Sequence, residues 1–121
     1  MNYISFEEFL ARSKGAPYPD NVAHVEHMGV RMYVRRVDRT FDIGAPRVGV
    51  LDLASISVIG ERGKGTFTAA LEDIEATAEA EGLEIYVENV QTERFQEFWV
   101  KRGYERLTKL NRPTCFLGPS K

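Results

Sequence analysis

The chain has 121 residues, 43% of them hydrophobic, and a formal net charge of -2. This length and composition predict one folded domain over residues 1–121 and exclude a disordered chain. With so little net charge and no apolar run near ~20 residues, we expect neither nucleic acid nor a membrane as a partner. The single cysteine excludes an internal disulfide, and no signal pattern opens the chain, so a cytoplasmic location is expected.

The chain begins with a short predicted helix. Ser5 followed by Glu8 is a capping box, and Gly15 is a typical C-terminal stop. Residues 15–27 are then predicted to be irregular, because two prolines interrupt the start of the segment. His24 and His27 fall in this segment without a cluster of other ligands, so we expect no metal site there.

Residues 29–37 alternate as a strand should. Val30, Met32 and Val34 fall on one side, and the other side carries basic and aromatic residues: Arg31, Tyr33, Arg35 and, in phase beyond them, Arg39. The ordinary interpretation of that second side is a solvated outer face. It could also stack on nucleic acid or form a basic rim for an acidic acceptor. This strand is predicted to pair antiparallel with residues 47–58.

Residues 50–82 predict a strand, a glycine-containing loop and an amphipathic helix. Simple alternation places Asp52 and Val58 on the same side of the strand. In the helix, apolar residues recur at helical spacing and Gly82 marks the end. The residues of the apolar stripe are Phe67, Ala70, Leu71, Ile74 and Ala78.

The loop at residues 61–66 has the composition of an anion site. Gly63 and Gly65 permit a sharp turn, and the first amides of the following helix have no internal partner. Arg62 and Lys64 add positive charge, so a phosphate or diphosphate is the expected guest. Neither the P-loop pattern nor the dinucleotide pattern fits, because Lys64 precedes Gly65 and no third glycine follows.

The remaining elements follow the same logic. Residues 83–88 alternate as a strand, parallel to its predecessor. Thr92 can cap a helix that runs to Arg102 and ends at Gly103. Residues 104–107 and 114–117 are predicted to form a closing hairpin, with Cys115 as a small buried residue.

Two segments resemble the GNAT superfamily of N-acetyltransferases. The segment Arg62-Gly63-Lys64-Gly65-Thr66-Phe67 resembles the family's acetyl-CoA loop, Gln/Arg-x-x-Gly-x-Gly/Ala, with Phe67 as a departure at the last position. Residues 98–104, FWVKRGY, resemble its Phe-Tyr-Glu-Lys-x-Gly-Phe signature. The resemblance covers residues 51–104. It implies a mixed α/β GNAT-like fold, small and with a shortened N-terminal part in which one early strand is missing.

The resemblance also implies acetyl-CoA as co-substrate. The free amides of the loop would hold the diphosphate, while the ring of Phe67 turns into the core. The predicted cofactor-binding residues are Val58, Arg62, Gly63, Lys64, Gly65, Thr66, Phe67 and Asn89.

The implied reaction is the attack of an amine on the acetyl thioester. Some members of the family carry a carboxylate base six residues before the position of Val58, which here is Asp52; a structural carboxylate is the alternative. Trp99 stands where the family often has an acidic Tyr, and Tyr86 and Tyr104 are the possible substitutes. The sequence therefore predicts an N-acetyltransferase for a protein or small-molecule amine. The alternative is a weak or inactive acetyl-CoA-binding or protein-interaction module.

Overall fold

A mixed β-sheet forms the centre of the protein in the computed structural model, which describes residues 2–41, 44–59, 65–108 and 114–119. Helices and strands alternate along much of the chain, as the sequence predicts. In chain order the elements are β1 (Ile4–Ser5), α1 (Phe6–Ser13), β2 (Val22–His27), β3 (Val30–Arg39), β4 (Val48–Val58), α2 (Thr66–Ala80), β5 (Glu84–Val87), α3 (Glu93–Lys101), β6 (Glu105–Arg106) and β7 (Phe116–Leu117).

Within the described residues, the sheet has seven strands in the order β1-β2-β3-β4-β5-β7-β6. The strand β4 lies at its centre, antiparallel to β3 and parallel to β5, as predicted. The strand β7 inserts antiparallel between β5 and β6 and closes the sheet as the predicted hairpin. Across these described ranges, no helix has the length and apolar character needed to cross a bilayer.

Side-chain caps define the first turns of two helices where the sequence places them. The hydroxyl of Ser5 accepts a hydrogen bond from the amide of Glu8 at 3.0 Å, and that of Thr92 accepts one from the amide of Phe95 at 3.2 Å. Each cap satisfies an amide that the helix itself leaves unpaired. Helices α1 and α3 therefore begin as predicted.

The prediction of an irregular segment over residues 15–27 is wrong for its second half. Residues 22–27 form β2, which pairs with β3 along its whole length through the tight turn at Met28 and Gly29. The prediction that one early strand is missing is therefore wrong as well, since β1 and β2 both precede β3. Only Val25 of β2 is fully buried, so the segment lacks the clean apolar alternation that would identify a strand.

A β-bulge interrupts the central strand. Two residues of β4, Ser55 and Ile56, stand opposite the single residue Met32 of β3. Ser55 takes a positive φ of 51°, which a non-glycine residue rarely adopts. The extra residue reverses the alternation, so the prediction that Asp52 shares a side with Val58 is wrong.

The sheet has two different faces. Leu51 and Leu53 of β4 face the main core, which all three described helices cover and in which the indole of Trp99 is fully buried. We call this side the helix face. Val50, Asp52 and Tyr86 lie on the opposite face, where a smaller apolar cluster contains no residue of those helices. Because of the bulge, Val58 packs on the helix face with Leu51 and Leu53, whereas Asp52 lies on the opposite face.

Candidate active site

A cleft of about 820 Å³ opens on the helix face, between the end of β4 and the starts of α2 and α3. Its walls are apolar and aromatic, with cationic side chains from α3 among them. The lining residues are Ile56, Ser57, Val58, Gly65, Thr66, Phe67, Thr68, Thr92, Arg94, Phe95, Glu97, Phe98 and Lys101. The size and lining suit an elongated ligand with an anionic part.

The cleft is lined by the part of β4 that follows its separation from β5, and we call this point of separation the fork. The last paired residues are Leu53 and Val87, and the amide of Glu88 still donates to the carbonyl of Leu53 at 3.0 Å. Asn89 then takes a φ of 59°, and the amide of Val90 donates to Thr114 instead. Beyond the fork, β4 has no partner on the β5 side among the residues that the structure describes, so its backbone groups there can meet a ligand.

The N-terminus of α2 faces this cleft. Its cap is Gly65 with a φ of 73°, a residue that has no side chain with which to cap the helix. The amides of Thr66, Phe67 and Thr68 have no acceptor among the residues that the structure describes. Open amides at the positive end of a 15-residue helix form an anion site.

The ring of Phe67 turns into the core, as predicted. Its centroid lies 5.4 Å from that of Phe95, 5.3 Å from that of Phe98 and 5.7 Å from that of Trp99. These edge and tilted contacts hold the start of α2 against α3. The side chain therefore leaves the backbone of the helix N-terminus accessible.

The structure places the predicted cofactor-binding residues unequally. Val58, Gly65, Thr66 and Phe67 line the cleft together. Asn89 does not line it; it lies at the fork, where its side chain accepts a hydrogen bond from Gln91. The other predicted residues, Arg62, Gly63 and Lys64, lie outside the described residues.

A second cleft, of about 500 Å³, lies near the C-terminal end of α2 and is a poor site for a diphosphate. Helix carbonyls give that end partial negative charge, and Glu75, Glu79 and Glu84 line the cleft. Its single lining arginine, Arg102, forms an ion pair with Glu75 at 2.5 Å. Anion binding is therefore expected only at the first of these two clefts.

Asp52 is buried in an ion-pair cluster on the opposite face of the sheet. Its Oδ2 accepts hydrogen bonds from Arg35 at 2.5 Å and from Arg39 at 2.8 Å. The same two guanidinium groups reach Glu88, at 3.0 Å from Arg35 and 3.3 Å from Arg39. We call these four residues the fork cluster. The interpretation of Arg35 and Arg39 as a solvated outer face is wrong, because both are half-buried in these pairs.

The environment of Asp52 favours its neutral form more than water does. Burial first, and then the neighbouring Glu88 carboxylate, raise the pKa of Asp52 to about 6, although Arg35 and Arg39 oppose the rise. Its Oδ1 is buried and has no hydrogen-bond partner among the described residues. A carboxylate with a pKa near neutrality can exchange a proton at physiological pH.

Neither of the two candidate proton donors, Tyr86 and Tyr104, lines the cleft, and neither does Trp99, which stands at the position of the family's tyrosine. Trp99 is fully buried, and its indole N–H finds no acceptor in the described part of the chain. The hydroxyl of Tyr104 donates to Glu75 at 2.8 Å, and burial raises the pKa of Tyr104 far above its usual value. Tyr86 is fully buried, and its ring packs against Arg39 on the opposite face.

The two histidines lie on β2. Nε2 of His27 is 2.7 Å from Asp73 of α2, and the ring of His24 packs against Tyr33. No three His, Cys, Asp or Glu side chains of the described residues gather into a metal-binding group. Cys115 is buried in the smaller apolar cluster, as predicted.

Sequence reasoning missed Arg35, Arg39 and Glu88 as partners of Asp52. Arg35 and Glu88 are 53 residues apart in the chain, and only the sheet register brings them together. The one available signal was the phase of Arg35 and Arg39 on a strand predicted to pair with β4. It also missed Arg94 and Lys101 as cations of the cleft.

Comparison with solved structures supports the fold. The toxin AtaT in complex with acetyl-methionyl-tRNA(fMet) superposes with a TM-score of 0.58 at 12% identity, over 93% of this chain and 76% of that one. The KacTA–DNA complex gives a TM-score of 0.59 at 12% identity, over 93% and 77%.

A third neighbour is a mutant AtaT toxin bound to the C-terminus of the antitoxin AtaR and acetyl-CoA. It superposes with a TM-score of 0.54 at 14% identity, over 77% of this chain, but this chain spans only 59% of that one. No protein-family model matches the sequence, and no curated protein matches it either. The fold is therefore that of the GNAT acetyltransferases, as the sequence predicts.

Proposed function

We propose that this protein is an acetyl-CoA-dependent N-acetyltransferase. The observation that carries the proposal is the N-terminus of α2, where Thr66, Phe67 and Thr68 line a cleft of about 820 Å³ and their amides have no acceptor among the described residues. A diphosphate bound there would accept hydrogen bonds from these amides and lie at the positive end of the helix. Arg94 and Lys101 on the cleft wall add charge of the right sign.

From that anchor, the pantetheine arm would follow β4 toward the fork, along the edge that has no described partner on the β5 side. The bulge at Ser55 and Ile56 leaves β4 backbone groups without their regular partners on β3, and β5 has already diverged. A backbone amide at this point can donate to the thioester carbonyl as negative charge develops on its oxygen. The acetyl carbon would then sit between the cleft and the fork cluster.

The acceptor amine must lose a proton before it attacks, because an ammonium has no lone pair and a lysine amine has a pKa of ~10.4. We propose that Asp52 takes part in that proton removal through the fork cluster. The leaving thiolate needs little help, since a free thiol has a pKa of ~8.5. The lack of a free tyrosine at the cleft is therefore compatible with turnover.

A ligand assay tests the binding step. Acetyl-CoA at 100 times its Kd should stabilise the protein by about 2.7 kcal/mol and raise its melting temperature. Gly65→Val should weaken binding, because a β-branched residue cannot hold the φ of 73° that ends the loop. Gly15→Val is the matched control, with a φ of 66° and no neighbour within 4 Å, far from the cleft.

Release of the CoA thiol then tests turnover. The acceptor panel should contain a lysine peptide, a peptide with a free N-terminus, small amines and an aminoacyl-tRNA. The tRNA is included because one neighbour is bound to acetyl-methionyl-tRNA. Thiol release that depends on one class of amine supports the proposal, whereas binding without release under any acceptor contradicts it.

The second candidate function is an acetyl-CoA-binding or protein-interaction module without turnover. The observation that favours it is the environment of the aromatic residues: Trp99 is buried, and the hydroxyl of Tyr104 is committed to Glu75. Binding of acetyl-CoA in the thermal assay, together with an inactive acceptor panel, is the result that this candidate predicts.

The basic side of β3 gives no support to nucleic-acid binding by charge. Arg31 pairs with Glu26, and Arg35 and Arg39 pair with Asp52 and Glu88. The neighbours bound to tRNA and DNA nevertheless make nucleic acid a partner to test. Binding that falls steeply with added salt is the expected signature of phosphate contacts.

A further inference from the structure

The register of the sheet places Glu88 closer to the fork than Asp52. Asp52 pairs with Tyr86, two residues before Glu88, and each residue advances a strand by roughly 3.3 Å. The amide of Glu88 makes the last hydrogen bond to β4, at the carbonyl of Leu53, before the two strands separate. Glu88 is thus the carboxylate of the fork cluster that stands at the opening itself.

The two carboxylates also differ in their access to solvent. The side chain of Asp52 is 0% exposed, whereas that of Glu88 is 21% exposed. Oδ2 of Asp52 is already the acceptor for both Arg35 and Arg39. An amine that approaches from solvent can therefore reach Glu88 without breaking the buried part of the cluster.

We propose that Glu88 is the catalytic residue that receives the proton of the acceptor amine, and that Asp52 acts through it as a positioning residue. The inference rests on the proposed acetyltransferase function and adds to it a named proton acceptor. One terminal nitrogen of Arg35 and one of Arg39 donate hydrogen bonds to Oδ2 of Asp52. The same two nitrogens donate to the two carboxylate oxygens of Glu88. This arrangement holds Glu88 in place at the end of the β4–β5 pairing, with part of its side chain exposed to solvent.

The chemical step balances with these groups. The ammonium of the acceptor gives one proton to the Glu88 carboxylate, directly or through a water, and keeps its electron pair. That pair attacks the thioester carbon, forming the C–N bond. The C–S bond then breaks, its electrons leave with the CoA sulfur, and the second amine proton passes to that sulfur through solvent.

Glu88→Gln is the primary test, with Glu26→Gln as its matched control. Glu26 is an exposed carboxylate on β2 that forms an ion pair with Arg31 at 3.0 Å and is not part of the fork cluster. Loss of a general base costs roughly 100-fold or more in kcat. We expect that loss for Glu88→Gln, no such loss for Glu26→Gln, and partial recovery in Glu88→Asp, with an unchanged melting-temperature rise on acetyl-CoA binding in all three.

Asp52→Asn separates the two roles. A positioning residue predicts a smaller loss in kcat than Glu88→Gln. It also predicts that the change in activity near pH 6, where Asp52 titrates, is absent from Asp52→Asn. The charged groups paired with Glu88 are Arg35 and Arg39 from β3. Tyr33 lies near Arg35, and the ring of Tyr86 from β5 lies under Arg39.

Different failures have different meanings. A Glu88→Gln enzyme within about threefold of wild type overturns the inference, and an inactive Asp52→Asn beside it would make Asp52 the base, with the acetyltransferase function intact. A wild-type protein that neither responds to acetyl-CoA nor releases CoA overturns both the function and the inference. The retained thermal response to acetyl-CoA shows that a variant is folded.

Discussion

Gly29, in the turn between β2 and β3, lies against Thr66, the first residue of α2. A Cβ atom added to Gly29 would come within 3.1 Å of Cγ2 of Thr66. The carbonyl of Gly29 also accepts a hydrogen bond from the amide of Ile59, the last described residue before the loop, at 2.8 Å. The first hairpin of the chain therefore supports the helix end at which we place the diphosphate.

Substitution of Gly29 by Ala should weaken acetyl-CoA binding. The residue has a φ of 80°, so Ala costs about 1–2 kcal/mol of stability there, and the contact with Thr66 shifts the start of α2. Gly15→Ala is the control, since it shares the positive φ but has nothing within 4 Å. Calorimetric titration should show a higher Kd for acetyl-CoA in Gly29→Ala only. Equal affinities in the two variants would show that the hairpin does not support the acetyl-CoA site.

The bulge in β4 should tolerate glycine and reject a β-branched residue at Ser55. Ser55 is exposed and has a φ of 51°, so Val is expected to cost about 1–3 kcal/mol through backbone strain alone. Ser55→Gly keeps the conformation and should keep the activity. Thermal melting and CoA release measure the two effects. A Val variant as stable and active as the Gly variant would show that the backbone conformation of the bulge contributes to neither stability nor turnover.

Tyr104→Phe should lower stability without lowering turnover. The change removes the hydrogen bond from the hydroxyl to Glu75, at 2.8 Å in a partly buried position, and should cost about 1 kcal/mol. Tyr18→Phe serves as the control because Tyr18 is 77% exposed. If Tyr104→Phe instead lowers kcat while CoA affinity stays constant, Tyr104 is the acid that the structure otherwise excludes.

Activity should rise with pH through an apparent pKa near 6. Burial and the charge of Glu88 raise the pKa of Asp52 to about 6, and Asp52 must be ionised to hold Arg35 and Arg39 most strongly. The rate is therefore low below this pH and rises to a limit above it. The measurement is kcat/KM with one acceptor amine throughout, in wild type and in Asp52→Asn, so that the titration of the amine is common to both. An identical acid limb in both would contradict the coupling.

Local signals in the sequence were sufficient for most of the elements. Ser5 and Thr92 are caps whose hydroxyls need only residues three positions away, and Gly82 ends α2 with a φ of 70°. The alternation of Val30, Met32 and Val34 placed β3 correctly because one of its faces is fully buried. These features depend on neighbours in the chain, which a sequence displays directly.

The features that the sequence could not display depend on the sheet. The bulge at Ser55 has no composition of its own, and it reversed the side on which Asp52 was placed relative to Val58. The pairing of Asp52 with Arg35 depends on the register between β3 and β4. Sequence reasoning placed the proposed diphosphate site at the start of α2 from local signals, whereas the grouping of the carboxylates at the fork depends on the three-dimensional sheet.

The most direct measurement is a crystal structure of the protein with acetyl-CoA. We predict that the diphosphate oxygens lie within hydrogen-bonding distance of the amides of Thr66, Phe67 and Thr68, and that the thioester lies at the fork beside Glu88. A cofactor found in the cleft lined by Glu75, Glu79 and Glu84, or no cofactor at saturating concentration, would contradict the proposed function.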